Sequence, residues 1–370
     1  MNKAIKYRLY PTTEQEIMFA KTFGCCRKVY NLMLADKVTC YKKTGTFGRQ
    51  TPAMYKTEYP FLKEVDSLAL ANVQLNLQGA MKNYFDKTRK RQNGFPKFKS
   101  AKYSRKSYTT NNQKGTVAII DNKYIKLPKI GKVKAVIHRK PDDDWTVKSA
   151  TISQDSDDKF YVSILFEYDK TVTPAVISDN AIGLDYKSDG LYMDSKGYYP
   201  DGHRYYRRNQ GKLAHAQRKL RHMLTGSNNY KKQQRRIARI QKHTSNQRLD
   251  FLHKESTKIA NLYDVVCVET LDMKAMSNKG FGNGKATLDN GYGMFLNMLE
   301  YKLADRGKYF VKVDKWYPSS QLCHCCGARH PEMKNLDIRI MKCSCGLTIS
   351  RDQNAAINIK NEGLRILKSA

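Results

Sequence analysis

At 370 residues the chain is long enough for two or three domains, each with a buried core. It carries 67 Lys and Arg against 34 Asp and Glu, a formal charge of +33, with 24 Tyr and 13 Phe available for stacking. Such an excess repels itself without counter-charge, so the composition points to a nucleic-acid partner rather than to a solvated basic surface. No apolar run approaches the roughly 18 residues of a membrane span, and the start MNKAIKYRLYP lacks a signal-peptide core. Nine cysteines, four of them in two close pairs, fit metal ligation in a reducing cytoplasm better than a disulfide framework.

Residues 3–10 alternate apolar and polar side chains and read as a strand ended by Pro11. Thr13-x-x-Glu16 then forms a capping box for a helix over about 14–36. A second helix is expected over about 66–91, with Leu68, Leu70, Val73, Leu75, Leu77 and Met81 on its apolar face. The basic loop KTRKRQNGFPKFKSAKYSRK follows, broken by Gly94 and Pro96. From 107 to 168 the texture changes to short β-branched segments, KGTVAII, YIKL, VKAVIHR, VKSATIS and FYVSILFEY, the pattern of a small barrel.

A further unit begins at Ala181. AIGLD reads as a buried strand, and GLYMDSKGYYP as a hairpin turning at Ser195-Lys196-Gly197. Residues 201–250 hold fourteen Lys and Arg against Asp201 and Asp250, as two long helices broken at 225–229. So few acidic partners favour a nucleic-acid face over a solvated hairpin. DVVCVET and KYFVKVD are two more buried strands. NKGFGNGKATLDNGYG between them reads as a mobile glycine-rich loop entering a helix over about 293–306.

Three acids stand where a metal-dependent nuclease needs them: Asp185 and Glu269 close buried strands, and Asp352 opens the last helix. Alone, a strand-end carboxylate is usually a cap or a surface charge. Three converging on two divalent cations would escape the cost of burial and act on a phosphodiester. The order strand-hairpin, strand, helix is RNase H-like. Cys323-x-x-Cys326 and Cys343-x-Cys345, seventeen positions apart, have zinc-ribbon spacing for one structural Zn²⁺. Within Cys323-His324-Cys325-Cys326 the two-residue gap favours Cys323 and Cys326 over His324 and Cys325. Cys25, Cys26, Cys40 and Cys267 read as core residues. No nucleophile triad or phosphate loop of the Walker type is evident.

KAIKYRLYPT, GFPKFKS, IGLDYKSDGLYMDSKG, VVCVETLDMKAM, SSQLCHCCG and RDQNAAINI together closely resemble the TnpB (OrfB) family of insertion-sequence proteins, relatives of type V CRISPR effectors. The resemblance spans the chain. It implies an RNA-guided endonuclease that cuts double-stranded DNA beside a short flanking motif, with a guide RNA from the transposon end. The implied catalytic triad is Asp185, Glu269 and Asp352, holding two Mg²⁺ with Mn²⁺ as an alternative. The implied zinc ligands are Cys323, Cys326, Cys343 and Cys345.

The implied fold is multidomain α+β. A wedge-like β-barrel (1–10 and 107–175) carries an inserted helical recognition lobe (11–106). A RuvC-like α/β nuclease (180–318 and 349–370) follows, with a zinc ribbon inserted at 319–348. Ser350 and the Cys-x-Cys pair depart from the usual pattern, without loss of a catalytic acid. Expected nucleic-acid contacts are Gln74, Gln78, Lys82, Asn83, Lys97, Lys99, Arg207, Arg208, Arg218, Arg235, Arg236 and Arg239, in a prokaryotic cytoplasmic protein acting as a monomer with its RNA. Rival readings are a nuclease-inactive guided repressor, a DNA-joining transposase and a small CRISPR effector.

Overall fold

The structure is a computed structural model that describes residues 1–86, 88, 94–176, 178–278 and 284–369. The chain divides into two compact units, Met1–Lys170 and Thr171–Ala370.

The first unit is built on strand β1 (Asn2–Tyr10) and helix α1 (Thr13–Thr44), with a second helix α2 (Ser67–Phe85). Strands β2 (Lys106–Asn111), β3 (Ala118–Ile120), β4 (Tyr124–Leu127), β5 (Gly131–Val136), β6 (Thr146–Gln154) and β7 (Phe160–Glu167) complete it. They form one antiparallel sheet in the order β2-β6-β7-β1-β5-β4-β3. α1 and α2 share a single core with this sheet, in which Phe19, Met33, Leu70 and Leu77 join Tyr7, Ile152 and Ile164.

Local rules account for these elements, and four details differ from expectation. Thr12, not Thr13, caps α1, exchanging hydrogen bonds with Gln15, and the helix runs on to a left-handed Gly45. α2 starts at its Asp66 cap and is described only to Phe85; Leu75 on its expected apolar face is exposed. The expected continuation to 91 lies partly outside the described residues. β2 carries a polar sequence, KSYTTN, that gave no strand signal, yet it pairs along six residues with β6. Cys40, expected in the core, is only half-buried.

The second unit has strands β8 (Ala181–Tyr186), β9 (Tyr192–Asp194), β10 (Val265–Glu269) and β11 (Tyr309–Val313) in the order β11-β10-β8-β9. β8, β10 and β11 are parallel, while β9 turns back antiparallel on β8. The helices are α3 (Tyr205–Arg221), α4 (Asn228–Leu262), α5 (Met273–Met276), α6 (Gly284–Asn290), α7 (Tyr292–Ala304) and α8 (Arg351–Lys368). Strands β12 (Ile340–Lys342) and β13 (Thr348–Ser350) form a separate two-stranded ribbon. Part of the expected glycine-rich loop is therefore helix: Gly284–Asn290 is α6, and 279–283 lie outside the described residues.

The parallel strands are buried on both faces. Ile182, Leu184, Val266 and Val268 pack with Leu252, Ile259, Phe295 and Leu299 of α4 and α7. Ala181, Val265, Cys267 and Val311 pack with Ile359 of α8. Among the described residues, no helix is long and apolar enough to cross a membrane.

Candidate active site

Leu184 of β8 is in register with Val268 of β10, so Asp185 and Glu269 are the next residues along two neighbouring parallel strands. Side chains alternate along a strand. Asp185 therefore follows Ala181 and Gly183, and Glu269 follows Val265 and Cys267, on the face covered by α8. Two glycines let α8 approach. A Cβ on Gly183 would run into the Ala356 carbonyl oxygen and lie 2.7 Å from Lys360 N. A Cβ on Gly363 would collide with the Cys267 sulfur. Ser350 caps α8 by accepting from Gln353 N at 3.1 Å, which gives this departure from the family pattern a structural use. Asp352 then lies in the first turn, where the helix N-terminus favours an anion.

Asp185 feels both of the other acids. Asp185 is held well above the usual carboxylate range, first by burial and then by the charges of Glu269 and Asp352, against the opposing Arg351 and Lys187. Burial pushes Glu269 up to about 7. Lys187 Nζ lies 3.2 Å from Asp352 Oδ2 and 3.4 Å from Asp189 Oδ1, and Arg351 Nη2 lies 3.4 Å from Asp352 Oδ1. Burial alone would lower the Lys187 pKa, but hydrogen bonding to Asp352 and the charges of Asp352 and Asp189 outweigh it, and the net shift is upward. Hard oxygen donors, crowded and half-neutralised at the carboxyl ends of parallel strands, are a donor set that suits divalent cations such as Mg²⁺.

The four expected cysteines converge, with their sulfurs all within 4.8 Å of one another. Zn–S bonds of about 2.3 Å in a tetrahedron put sulfurs about 3.8 Å apart. The pairs Cys323–Cys345 and Cys326–Cys343 stand at 3.7 and 3.5 Å, so the set fits one Zn²⁺. Cys325 is exposed and outside the cluster. His324 is not in it either; its backbone N–H and ring Nδ1 meet the Asn354 side-chain oxygen at 3.1 and 3.0 Å. Asn354 and Asn358, both buried in α8, donate to the Leu322 carbonyl at 2.7 Å each, and Asn358 also donates to Ser319 O at 2.8 Å. The knuckle is thus fastened to the helix that carries Asp352.

Arg207, Arg208 and Arg218 on α3 and Arg235, Arg236 and Arg239 on α4 are all exposed. In the first unit Gln74, Gln78 and Lys82 follow one another at four-residue spacing along α2, with Asn83 half-buried beside them. Lys97 is exposed, and Lys99 Nζ stands 4.0 Å over the Tyr30 ring. Asn31 bonds both the N–H and the carbonyl of Lys99, which ties that loop to α1.

Several residues that shape the site escaped sequence reasoning. Lys187 and Arg351 lie within the segments IGLDYKSDG and RDQNAAINI, but their pairing with Asp352 could not be read from them. Asp289, buried in α6, accepts from the backbone N–H groups of Tyr206 and Arg207 at the start of α3 and pairs with Arg248 of α4 at 3.1 Å. Gly183, inside a strand, was the one available signal that a backbone comes close.

Three family profiles match the chain: "Helix-turn-helix domain" of the OrfB/IS605 group over residues 1–46, "Probable transposase" of the same group over 163–280, and "Cas12f1-like, TNB domain" over 292–359. Within the first of these, Thr13–Thr44 is one uninterrupted helix. A Streptomyces pristinaespiralis protein named "Putative RNA-guided DNA endonuclease" is 33% identical, covering 98% of this chain and 90% of the relative. Escherichia coli K12 "Putative RNA-guided DNA endonuclease InsQ" is 30% identical over 99% and 93%. The fold is also that of a chain in the cryo-EM structure of a Cas12f1-sgRNA-target DNA complex, with a TM-score of 0.51 at 14% identity over 98% and 99% of the two chains. By full-length similarity and by these profiles, the chain belongs to the TnpB family of IS605-type, RNA-guided DNA endonucleases.

Proposed function

We propose that this protein hydrolyses double-stranded target DNA under the direction of a guide RNA, next to a short flanking motif, through one RuvC-like site. The observation that carries the reading is the register that sets Asp185 beside Glu269 at two strand ends under the helix that begins at Asp352, where burial first and then the charges of Glu269 and Asp352 raise the Asp185 pKa well above its ordinary value. Asp185, Glu269 and Asp352 are assigned as ligands of two Mg²⁺, with Mn²⁺ as an alternative. Bound there, the cations would activate a water and offset the charge of the scissile phosphate.

The chain's own residues do the rest. Burial keeps Asp185 and Glu269 inclined to hold protons, so they are primed to exchange them for a cation. Lys187 and Arg351 fix the Asp352 carboxylate from two sides. The exposed arginines of α3 and α4 and the basic loop near Lys97 and Lys99 offer charge along a nucleic-acid backbone, with sequence left to base pairing. Gln74, Gln78, Lys82 and Asn83 are assigned to the flanking motif.

In this reading residues 1–10 and 107–175 are the wedge, 11–106 the recognition lobe, 180–318 and 349–370 the nuclease, and 319–348 a structural zinc ribbon. The protein works as a monomer with its transposon-end RNA in a prokaryotic cytoplasm. All three acids are present, which favours cleavage over guided repression.

The test is cleavage of a matching DNA by the purified protein–RNA complex with Mg²⁺. Asp185→Ala is expected to lower the rate at least about a thousandfold. Equal cleavage by that variant would remove the site assignment.

A further inference from the structure

Lys187 follows the end of β8, two residues beyond Asp185, and continued alternation puts it on the same side of the sheet as that acid. Its ammonium accordingly reaches Asp352 Oδ2 at 3.2 Å, and it also lies 5.2 Å over the ring of Tyr199. The segment that bears Tyr199 is fixed on both sides. The Tyr198 N–H donates to Asp194 Oδ1 at 2.9 Å, and the Tyr198 carbonyl accepts from the Asp194 N–H at 2.8 Å. Further on, two glycines let the chain pass close to the turn after β8. A Cβ on Gly190 would stand 3.2 Å from Pro200 O, and one on Gly202 would run into the Asp189 carbonyl.

Two successive tyrosines here face different lysines. Lys258 of α4 lies 4.2 Å over the Tyr198 ring, whereas Tyr199 meets Lys187. Tyr199 nevertheless keeps 51% of its surface exposed. A lone exposed aromatic is ordinary surface. This one is anchored, and it adjoins the lysine that holds a carboxylate of the acid cluster. An accessible ring takes any nucleobase by stacking, and the ammonium beside it suits the phosphate of the same nucleotide. A base inside a duplex has no free face to offer, so the ring fits a strand already unpaired.

We propose that Tyr199 seats the scissile strand, its ring stacking on the base of the unpaired DNA nucleotide next to the cleaved phosphate. The inference rests on the reading of Asp185, Glu269 and Asp352 as the cleavage site, and it adds a contact to a base that is blind to sequence. Removing one such stacking platform weakens the hold on its nucleotide by about 10- to 100-fold.

The experiment maps the cut made by the parent RNA complex and then places 2-aminopurine, whose fluorescence stacking quenches, in the target beside that phosphate. Single-turnover cleavage of prebound target with Mg²⁺ is compared for parent, Tyr199→Phe, Tyr199→Ala and Asp185→Ala. Tyr199→Ala is expected to cut about 10- to 100-fold more slowly, with target affinity as in the parent, because guide pairing sets it. Tyr199→Phe keeps the ring and should keep the rate. In uncut complexes, 2-aminopurine should be brighter with the double variant Asp185→Ala, Tyr199→Ala than with Asp185→Ala alone. Parent-like cleavage by Tyr199→Ala overturns the inference. So does equal brightness of the two uncut complexes, or a Tyr199→Phe as slow as Tyr199→Ala. If Asp185→Ala is inactive in those cases, only the Tyr199 role fails. If Asp185→Ala cuts as the parent does, the reading of the acids fails and the Tyr199 role with it.

Discussion

The second unit builds two donor clusters by opposite means. The four sulfurs come from two short segments, 323–326 and 343–345, so local turns bring them together. A metal would add most of the folding energy of so small a knuckle, whose buried core is little more than Met333, Met341 and two of the cysteines. The three carboxylates come from residues 185, 269 and 352, and only the packed sheet and α8 hold them at one place. The cysteine cluster has its four sulfurs and His330, whose ring bonds Cys343. The acid cluster has counter-charges in Lys187 and Arg351, because it must survive burial before any cation arrives. Asn354 and Asn358 join the two, since they bind the knuckle and lie in the helix that begins beside Asp352.

That link is the place to break the comparison. Cys323→Ser leaves every acid untouched yet should release the knuckle from α8. Zinc content, measured by elemental analysis, is expected to fall to background, and cleavage at saturating Mg²⁺ to fall by about a hundredfold or more. Full cleavage by a zinc-free protein would mean that α8 holds Asp352 without help.

The next largest effect attacks the other side of the same helix. Gly183→Ala drives a methyl group into the backbone carbonyl of Ala356, where no rotamer can yield. Overpacking of this kind costs about 3 kcal/mol or somewhat more. The variant should melt several degrees lower and cleave poorly while keeping its zinc. Unchanged melting would show that α8 docks less tightly on β8 than the geometry requires.

How much of this was legible in the sequence follows the same division. Thiolate spacing is a local property and was readable directly, including the exclusion of Cys325. The parallel strands were readable because both their faces are apolar, as were α3 and α4 because they are basic and long. The acids were readable as strand ends and a helix start, as a set through the RNase H-like order of their elements, and as a catalytic triad through the family resemblance. β2 was not, because its polar residues gain their place by pairing with β6 rather than by propensity. The roles of Lys187 and Asp289 were not, because each acts through a partner about 40 to 165 residues away that no spacing announces. The cap of α1 shifted by one residue, from Thr13 to Thr12, since Thr12 and Gln15 satisfy each other.

The smallest predicted effect is on pH, and it sharpens what burial does to the acid cluster. Glu269 moves from its ordinary 4.5 to about 7 in the folded chain, so folding favours its protonated form. Stability from this group is complete below pH 4.5, and it is lost as the pH rises to about 7. Asp185 acts in the same direction. The metal-free protein should therefore melt at progressively lower temperature across that window. Glu269→Gln should flatten the slope without removing it, because Asp185 remains. With Mg²⁺ present the parent should regain stability toward pH 7 and above, since a cation replaces the proton that burial retained. Melting curves of the parent and of Glu269→Gln, with and without Mg²⁺, decide the point. A slope identical in the two proteins would mean that Glu269 titrates in the folded chain as it does in the unfolded one, and that the cluster is wetter than its packing implies.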